Sequence, residues 1–435
     1  MRSYIQLELR SLLASRGVWV LLLTTGPLVG FSLIQAISLY NEASRTALVT
    51  PQMAAGLNPF DGVIIPTYGS IYLTLTLLFP FVAIRTIAED KQSGALRLLL
   101  QLPSQLTTLL PSKVAGVIFA WLLVELPGLL ALLLWGYFGG HLYAPEILCL
   151  LLGQFLYGMI VMAICFVSAA ATDTASTAAL LALGCTLGSW VLDFAASGGT
   201  SWLTKISGFS LTASLKPFEQ GLLVWKVFAG IALAALILFG LTGLWWHPGR
   251  SVLLKVCGSA AVLIACSALS LPLHRLERSI DLTEDQRHSF SPAVRAALQQ
   301  IKEPIRIEVY LAAEDPRFMD YDRSVLAKLK RVLPKTEIVN MEVNQAALFK
   351  TGEDPKYGLI VYQIGTRRAE SRSTSPEEVL SLLGSLAAVP PAVGDDQTAY
   401  PGYPLVIQSS HTAEFVFYIL WPAVCFAGWF QFSRR

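Results

Sequence analysis

Val114 to Gly139 reads VAGVIFAWLLVELPGLLALLLWGYFG, 26 residues with a single charged side chain, Glu125. A helix needs about 20 predominantly apolar residues to cross a bilayer's hydrocarbon core, so this run reads as a span by itself. Seven more stretches qualify: Gly17–Leu39, Ile64–Ile84, Glu146–Ala169, Ala175–Ala196, Leu222–Trp246, Val252–Leu273 and Ala413–Phe430. The first is too long, and too polar where it ends, for a cleaved signal peptide. The expected fold is a polytopic α-helical membrane protein of about eight transmembrane helices.

Composition agrees. Of the 435 residues, 54% are hydrophobic and 14% charged, against about 25% charged in ordinary globular chains. Mean hydropathy is +0.56. The net charge of +2 gives no electrostatic footprint for nucleic acid. The charges are concentrated: residues 274–412 hold 17 Lys+Arg and 19 Asp+Glu of the 62 in the chain. A water-soluble module is therefore expected between the last two spans, and the domain plan reads 1–246, 252–273, 274–412 and 413–435. All six cysteines fall in apolar stretches outside the module, where thiols act as small apolar groups.

Lys and Arg favour cytoplasmic connections. Arg2, Arg10 and Arg16 precede the first span. Arg85, Lys91, Arg97 and Lys113 follow the second, Arg250 and Lys255 the sixth, and Arg434 and Arg435 end the chain. With eight spans all four groups share one side. Both termini are then cytoplasmic, and the module is periplasmic in the inner membrane of a bacterium. Lys205 and Lys216, in the fifth connection, are a mild exception, and a short interfacial helix is expected near Thr200–Leu215. Residues Met1–Ser15 are amphipathic and suit a helix lying on the inner leaflet.

The module predicts alternating helices and strands, an α/β layer. Ser291-Pro292 is a helix start, with Ser as N-cap. Ile305, Ile307, Val309 and Leu311 alternate along a strand. Asp322–Leu333 is an amphipathic helix, Glu337–Val343 and Tyr357–Gln363 are strands, and Ser375-Pro376-Glu377-Glu378 opens a last helix. Tyr400–Leu405 reads as a rigid lead into the final span. The acidic pairs Glu314-Asp315 and Asp395-Asp396 read as solvated loops, with a cation site as the alternative. No His, Ser or Cys stands in a catalytic context, so the module is expected to bind cargo or a periplasmic protein partner.

Between the second and third spans lies RTIAEDKQSGALRLLLQLPSQLTTLLPSK, Arg85 to Lys113. It reads as a charged helix start, a glycine, a short apolar helix and a proline stop, followed by a lysine at the mouth of the third span. Here the chain resembles the ABC type-2 exporter permeases, whose loop at this position runs R-x-I-x-E-[DE]-x-x-x-G-[TA]-x-x-x-L-L-x-x-P before a lysine. The matching residues are Arg85, Glu89, Asp90, Gly94, Ala95, Leu99, Leu100, Pro103 and Lys113. The resemblance covers Met1–Trp246. It implies a coupling helix that docks on a separate cytoplasmic ABC ATPase pair, and a second permease copy or paralogue in the membrane. The chain has no G-x-x-x-x-G-K-[ST] loop. No enzyme activity or cofactor is expected of it, and ATP and Mg would sit on the partner.

The module's entry, Asp281-Leu282-Thr283 followed by Ser289-Phe290-Ser291, resembles the periplasmic domain of gliding-motility-type ABC auxiliary proteins. The resemblance implies a permease fused to its auxiliary module, for export or for passing force outward. The alternative is a membrane scaffold for assembly or maturation of a periplasmic complex, without transport.

Glu125 lies mid-span, where an ionisable group is costly and faces a bundle interior. It either lines a translocation route or gating kink beside Pro127, or pairs with Gln154 or Tyr157 of the fourth span. An ion-coupled transporter built on Glu125 is a weaker reading, since one such residue is too few. Asp193 and Lys226, near the outer ends of their spans, read as a structural ion pair or as snorkelling charges.

Overall fold

The computed structural model describes residues 2–95, 106–196, 210–246, 251–273, 278–312, 315–341, 356–389 and 400–433. Leu99, Leu100, Pro103, Glu314, Asp395, Asp396 and the side chain of Asp193 lie outside them. The chain divides into a helical unit, Met1–Arg278 with Pro401–Arg435, and a smaller unit, Ser279–Tyr400. The smaller unit is narrower at both ends than the 274–412 drawn from the charge distribution.

The helical unit opens with α1, Arg2–Ala14, and α2, Arg16–Val49. Next come α3, Phe60–Gln92, α4, Leu106–Tyr137, α5, Ala144–Ala171, and α6, Ala175–Ala196. A short helix, α7, Leu211–Glu219, precedes α8, Trp225–Trp246, and α9, Val252–Leu273. Among the described residues, α2, α3, α4, α5, α6, α8 and the last helix, His411–Phe432, are long and apolar enough to cross a membrane. The chain is a multi-pass helical membrane protein. Helix α9 has the bounds expected of the seventh span.

Helix α2 is longer than its apolar run. At 1.5 Å per residue its 34 residues reach about 51 Å, well beyond the roughly 30 Å hydrocarbon core. The excess is the polar stretch after Tyr40, and it holds the lead into the last helix. The Tyr40 hydroxyl donates to the Tyr403 carbonyl at 2.7 Å. Asn41 both donates to Ile407 O, at 3.0 Å, and accepts from Ile407 N, at 2.9 Å. Ser44 Oγ accepts from Leu405 N at 3.1 Å. The backbone of the lead is thus satisfied by side chains of the first long helix.

Glycines let the helices close. Cβ atoms at Gly26 and Gly30 would stand 2.1 Å from Trp421 and 2.4 Å from Phe417, so the last helix lays its aromatic rings on a small-xxx-small face of α2. Trp421 Nε1 completes the contact by donating to Leu22 O at 2.9 Å. In α3 the helix is interrupted at Leu78, two residues before Pro80. Proline removes a donor and crowds the carbonyl four residues back, here Thr76. The Thr76 hydroxyl is joined to the Tyr157 hydroxyl of α5 at 2.6 Å.

Of the helix expected near Thr200–Leu215, residues 200–209 are outside the described set. The described helix α7 starts at Leu211 and ends at Glu219, with Ser210 capping Ala213 N.

The smaller unit has α10, Pro292–Leu298, β1, Ile305–Val309, and α11, a helical run over residues 316–332. β2, Glu337–Asn340, β3, Ile360–Ile364, β4, Arg367–Ser371, and α12, Pro376–Ala387, follow. The last helix of the chain, His411–Phe432, is α13. The sheet order is β2-β1-β3-β4, with β1–β2 parallel and the other pairs antiparallel. Ile305, Ile307, Val309 and Leu311 are all buried, as their alternation predicts, under Val294, Leu298, Val325, Leu329, Val379 and Leu383 of the helices. Strand β4 escapes sequence reading because its RRAES carries no apolar alternation. The Asp281 carboxylate organises the entry turn, accepting from Thr283 N at 3.1 Å and His288 N at 3.0 Å.

Candidate functional site

The polar residues between the second and third spans converge with the N-terminal helix. Helix α3 continues helically to Gln92, so Glu89 and Asp90 occupy its last turn. The sequence reading put them at the mouth of the second span, which it ended at Ile84; the helix continues past them. Nothing in the local sequence breaks the helix between Pro80 and Gly94. The break comes at Gly94, whose φ of +74 is the left-handed conformation that ends helices and suits glycine.

Acids in a helix's last turn oppose its dipole, and cations offset them. Lys113, on α4, is only 2% exposed. Its ammonium donates to Glu8 Oε1 of α1 at 2.8 Å and to the Thr86 carbonyl of α3 at 2.8 Å. It meets Asp90 Oδ2 at 2.5 Å. Arg85 pairs with Glu89 one turn on, and its guanidinium donates to Ser15 Oγ at 3.0 Å. Arg85 and Glu89 are half exposed, so their pairing contributes little by itself. The buried Lys113 node differs: three elements distant in sequence meet on one ammonium and use its three donors. An open cleft of about 470 Å³ adjoins it, bordered by Tyr4, Glu8, Ser11, Arg85, Glu89 and Lys113.

Lys91 points the other way. Its ammonium donates to Ala170 O at 3.2 Å and to Thr172 O, capping the end of α5, and Asp173 lies at 3.5 Å. The C-terminal carbonyls of a helix lack internal partners, so Lys91 ties α5 to the end of α3.

Sequence reading brought Arg85, Glu89, Asp90 and Lys113 to one segment and missed Glu8 and Ser15. The only trace of Glu8 was the amphipathicity of the first helix, since spacing does not connect residue 8 to residue 113.

The second polar locus lies deeper in α4. Glu125 is 3% exposed, and among the described residues neither carboxyl oxygen has a hydrogen-bond partner. The pairing with Gln154 or Tyr157 anticipated from sequence is not made. Gln154 Nε2 instead donates to the Tyr68 carbonyl at 3.4 Å, and Tyr157 is taken by Thr76. Gln154 Oε1 and the Tyr68 hydroxyl are also buried without partners among the described residues. Close packing brings these faces together. A Cβ at Gly128, three residues on from Glu125 and on its face, would lie 3.0 Å from Tyr68 Cζ. The Tyr72 and Tyr157 rings are 4.8 Å apart.

Helix α7 closes this region from another side, with Phe218 against Gly153 of α5. Burial lifts the Glu219 carboxyl to about 7, with Lys216 and the Tyr72 hydroxyl pulling the other way. Lys226 stands exposed in the first turn of α8. No group of three or more potential metal ligands occurs among the described residues.

The chain matches no protein-family model, no curated protein and no solved structure.

Proposed function

We propose that this chain is the membrane subunit of an ABC type-2 exporter, working with a separate cytoplasmic ATPase pair and a second permease copy or paralogue. In this reading the Lys113 end faces the cytoplasm, the 279–400 unit is periplasmic, and the membrane is the inner membrane of a bacterium. ATP and Mg belong to the ATPase.

The observation that carries the proposal is the Glu8–Lys113–Asp90 node. It fastens the N-terminal helix, the end of α3 and the start of α4 to one another. A push on the segment between Gly94 and Lys113 then acts on both flanking spans and on α1 as one body. A displacement delivered there by a closing ATPase pair would reach the bundle as a shift between two discrete packings. Gly94 sets the direction in which the segment leaves α3.

The test is purification of the tagged full-length chain from native membranes in mild detergent, with identification of what accompanies it. A stoichiometric protein carrying a phosphate-binding loop is expected. Periplasmic partners alone, across several detergents, would replace the transporter reading by the scaffold.

Gly94→Pro is the companion variant. Proline holds φ near −65°, incompatible with +74, whereas a Cβ there meets nothing within 4 Å. The variant should insert at wild-type levels and lose ATP-driven function through backbone direction alone. Wild-type function with Gly94→Pro would remove this segment from coupling.

A further inference from the structure

Four polar atoms from three helices are buried without partners among the described residues: both oxygens of Glu125, the Tyr68 hydroxyl and Gln154 Oε1. Glu125 (3% exposed), Tyr68 (1%) and Gln154 (0%) are each buried by more than nine-tenths. Leaving buried polar groups unmade is costly, and leaving a buried carboxylate both ionised and unpaired is far costlier. Such a group takes up a proton unless a cation or several donors reach it.

The titratable groups facing Glu125 supply no cation. They are the phenols Tyr68 and Tyr72 of α3; beyond them lie Tyr157 of α5 and, on α7, Glu219 against Tyr72 with Lys216 acting on it. The other helices packed on α4 place their titratable groups at its two ends, Glu8 of α1 against Lys113 and Tyr40 of α2 against Trp135.

We infer that Glu125, with Tyr68, Tyr72 and Gln154 around it, is a proton-binding site in the core of the membrane unit. Its ionisation requires the helices to part far enough to admit water or a donor. Proton occupancy of Glu125 therefore follows the separation of α3, α4 and α5, and any rearrangement that wets this pocket releases a proton. The inference stands apart from the ATPase reading, because it concerns only this chain in this packing.

The test uses the full-length protein in nanodiscs of phosphatidylethanolamine and phosphatidylglycerol, by infrared absorption at pH 7. The wild-type minus Glu125→Gln difference should show the C=O stretch of a protonated carboxylic acid. Carboxylate stretches in its place would overturn the inference. Glu125→Asp guards against a fold effect of Gln, since it keeps an acid and should shift the same band without abolishing it. Loss of the acid band in Asp, with carboxylate stretches appearing at wild-type helix content, also counts against the site.

Discussion

Lys113 and Glu125 lie on one helix, about 18 Å apart along its axis, and are equally withdrawn from water, at 2% and 3% exposure. Their surroundings are opposite. Lys113 spends its ammonium on two carboxylates and a carbonyl from two other helices, while Glu125 has no partner among the described residues. Burial alone therefore does not set the state of a charge in this bundle. The number of groups that reach it does. The first arrangement is an ionic clasp between elements, the second a buried carboxyl that no donor reaches among the described residues.

The largest expected effect comes from breaking the clasp. Lys113→Met leaves Glu8 and Asp90 facing one another without a cation. Breaking one side of a buried ion pair costs about 3–5 kcal/mol, and that loss should appear in the unfolding midpoint of the protein in lipid. Restoring neutrality with Glu8→Gln and Asp90→Asn in the same chain should recover most of it. Failure to recover would show that Lys113 acts through shape and not through charge.

Glu219 supplies an intermediate case, since it is partly buried and has Lys216 nearby. Its carboxyl is raised from 4.5 to about 7, so the folded chain binds this proton more tightly than the unfolded one. The linkage sign follows: its contribution is complete below about pH 4.5 and falls away as the pH rises to about 7. The pH dependence of thermal unfolding should lose this slope in Glu219→Gln. An unchanged slope would mean that another group titrates there.

The smallest effect is expected at Glu125. If its carboxyl is already neutral, Glu125→Gln is nearly isosteric, and the unfolding midpoint should move by less than about 1 kcal/mol equivalent. A loss as large as that of Lys113→Met would erase the distinction between the two sites.

Much of the membrane unit was legible because hydrocarbon imposes one strong local rule. Runs such as Val114–Gly139 declare themselves by length and apolarity, and helices are found over them, several extending well beyond the apolar run. The polar extension of α2 beyond Tyr40 was not legible, because it is held by hydrogen bonds to residues more than 360 positions away. The packing of Trp421 and Phe417 on Gly26 and Gly30 was equally silent, since aromatic residues in a span serve lipid and neighbouring helices alike. In the smaller unit, Ile305, Ile307 and Val309 revealed their strand by alternation, whereas Arg367–Ser371 became a strand by pairing with β3.

By itself the sequence determined which segments are apolar helices, where the charged residues concentrate, and that Glu125 is an anomaly within a span. These are properties of residues taken singly or in short periodic windows. Tertiary structure alone decided that Lys113 would be matched by Glu8 and Asp90, and Glu125 by nothing. Partnering depends on which helix faces meet, and the cost of a buried charge is fixed only once that meeting has occurred.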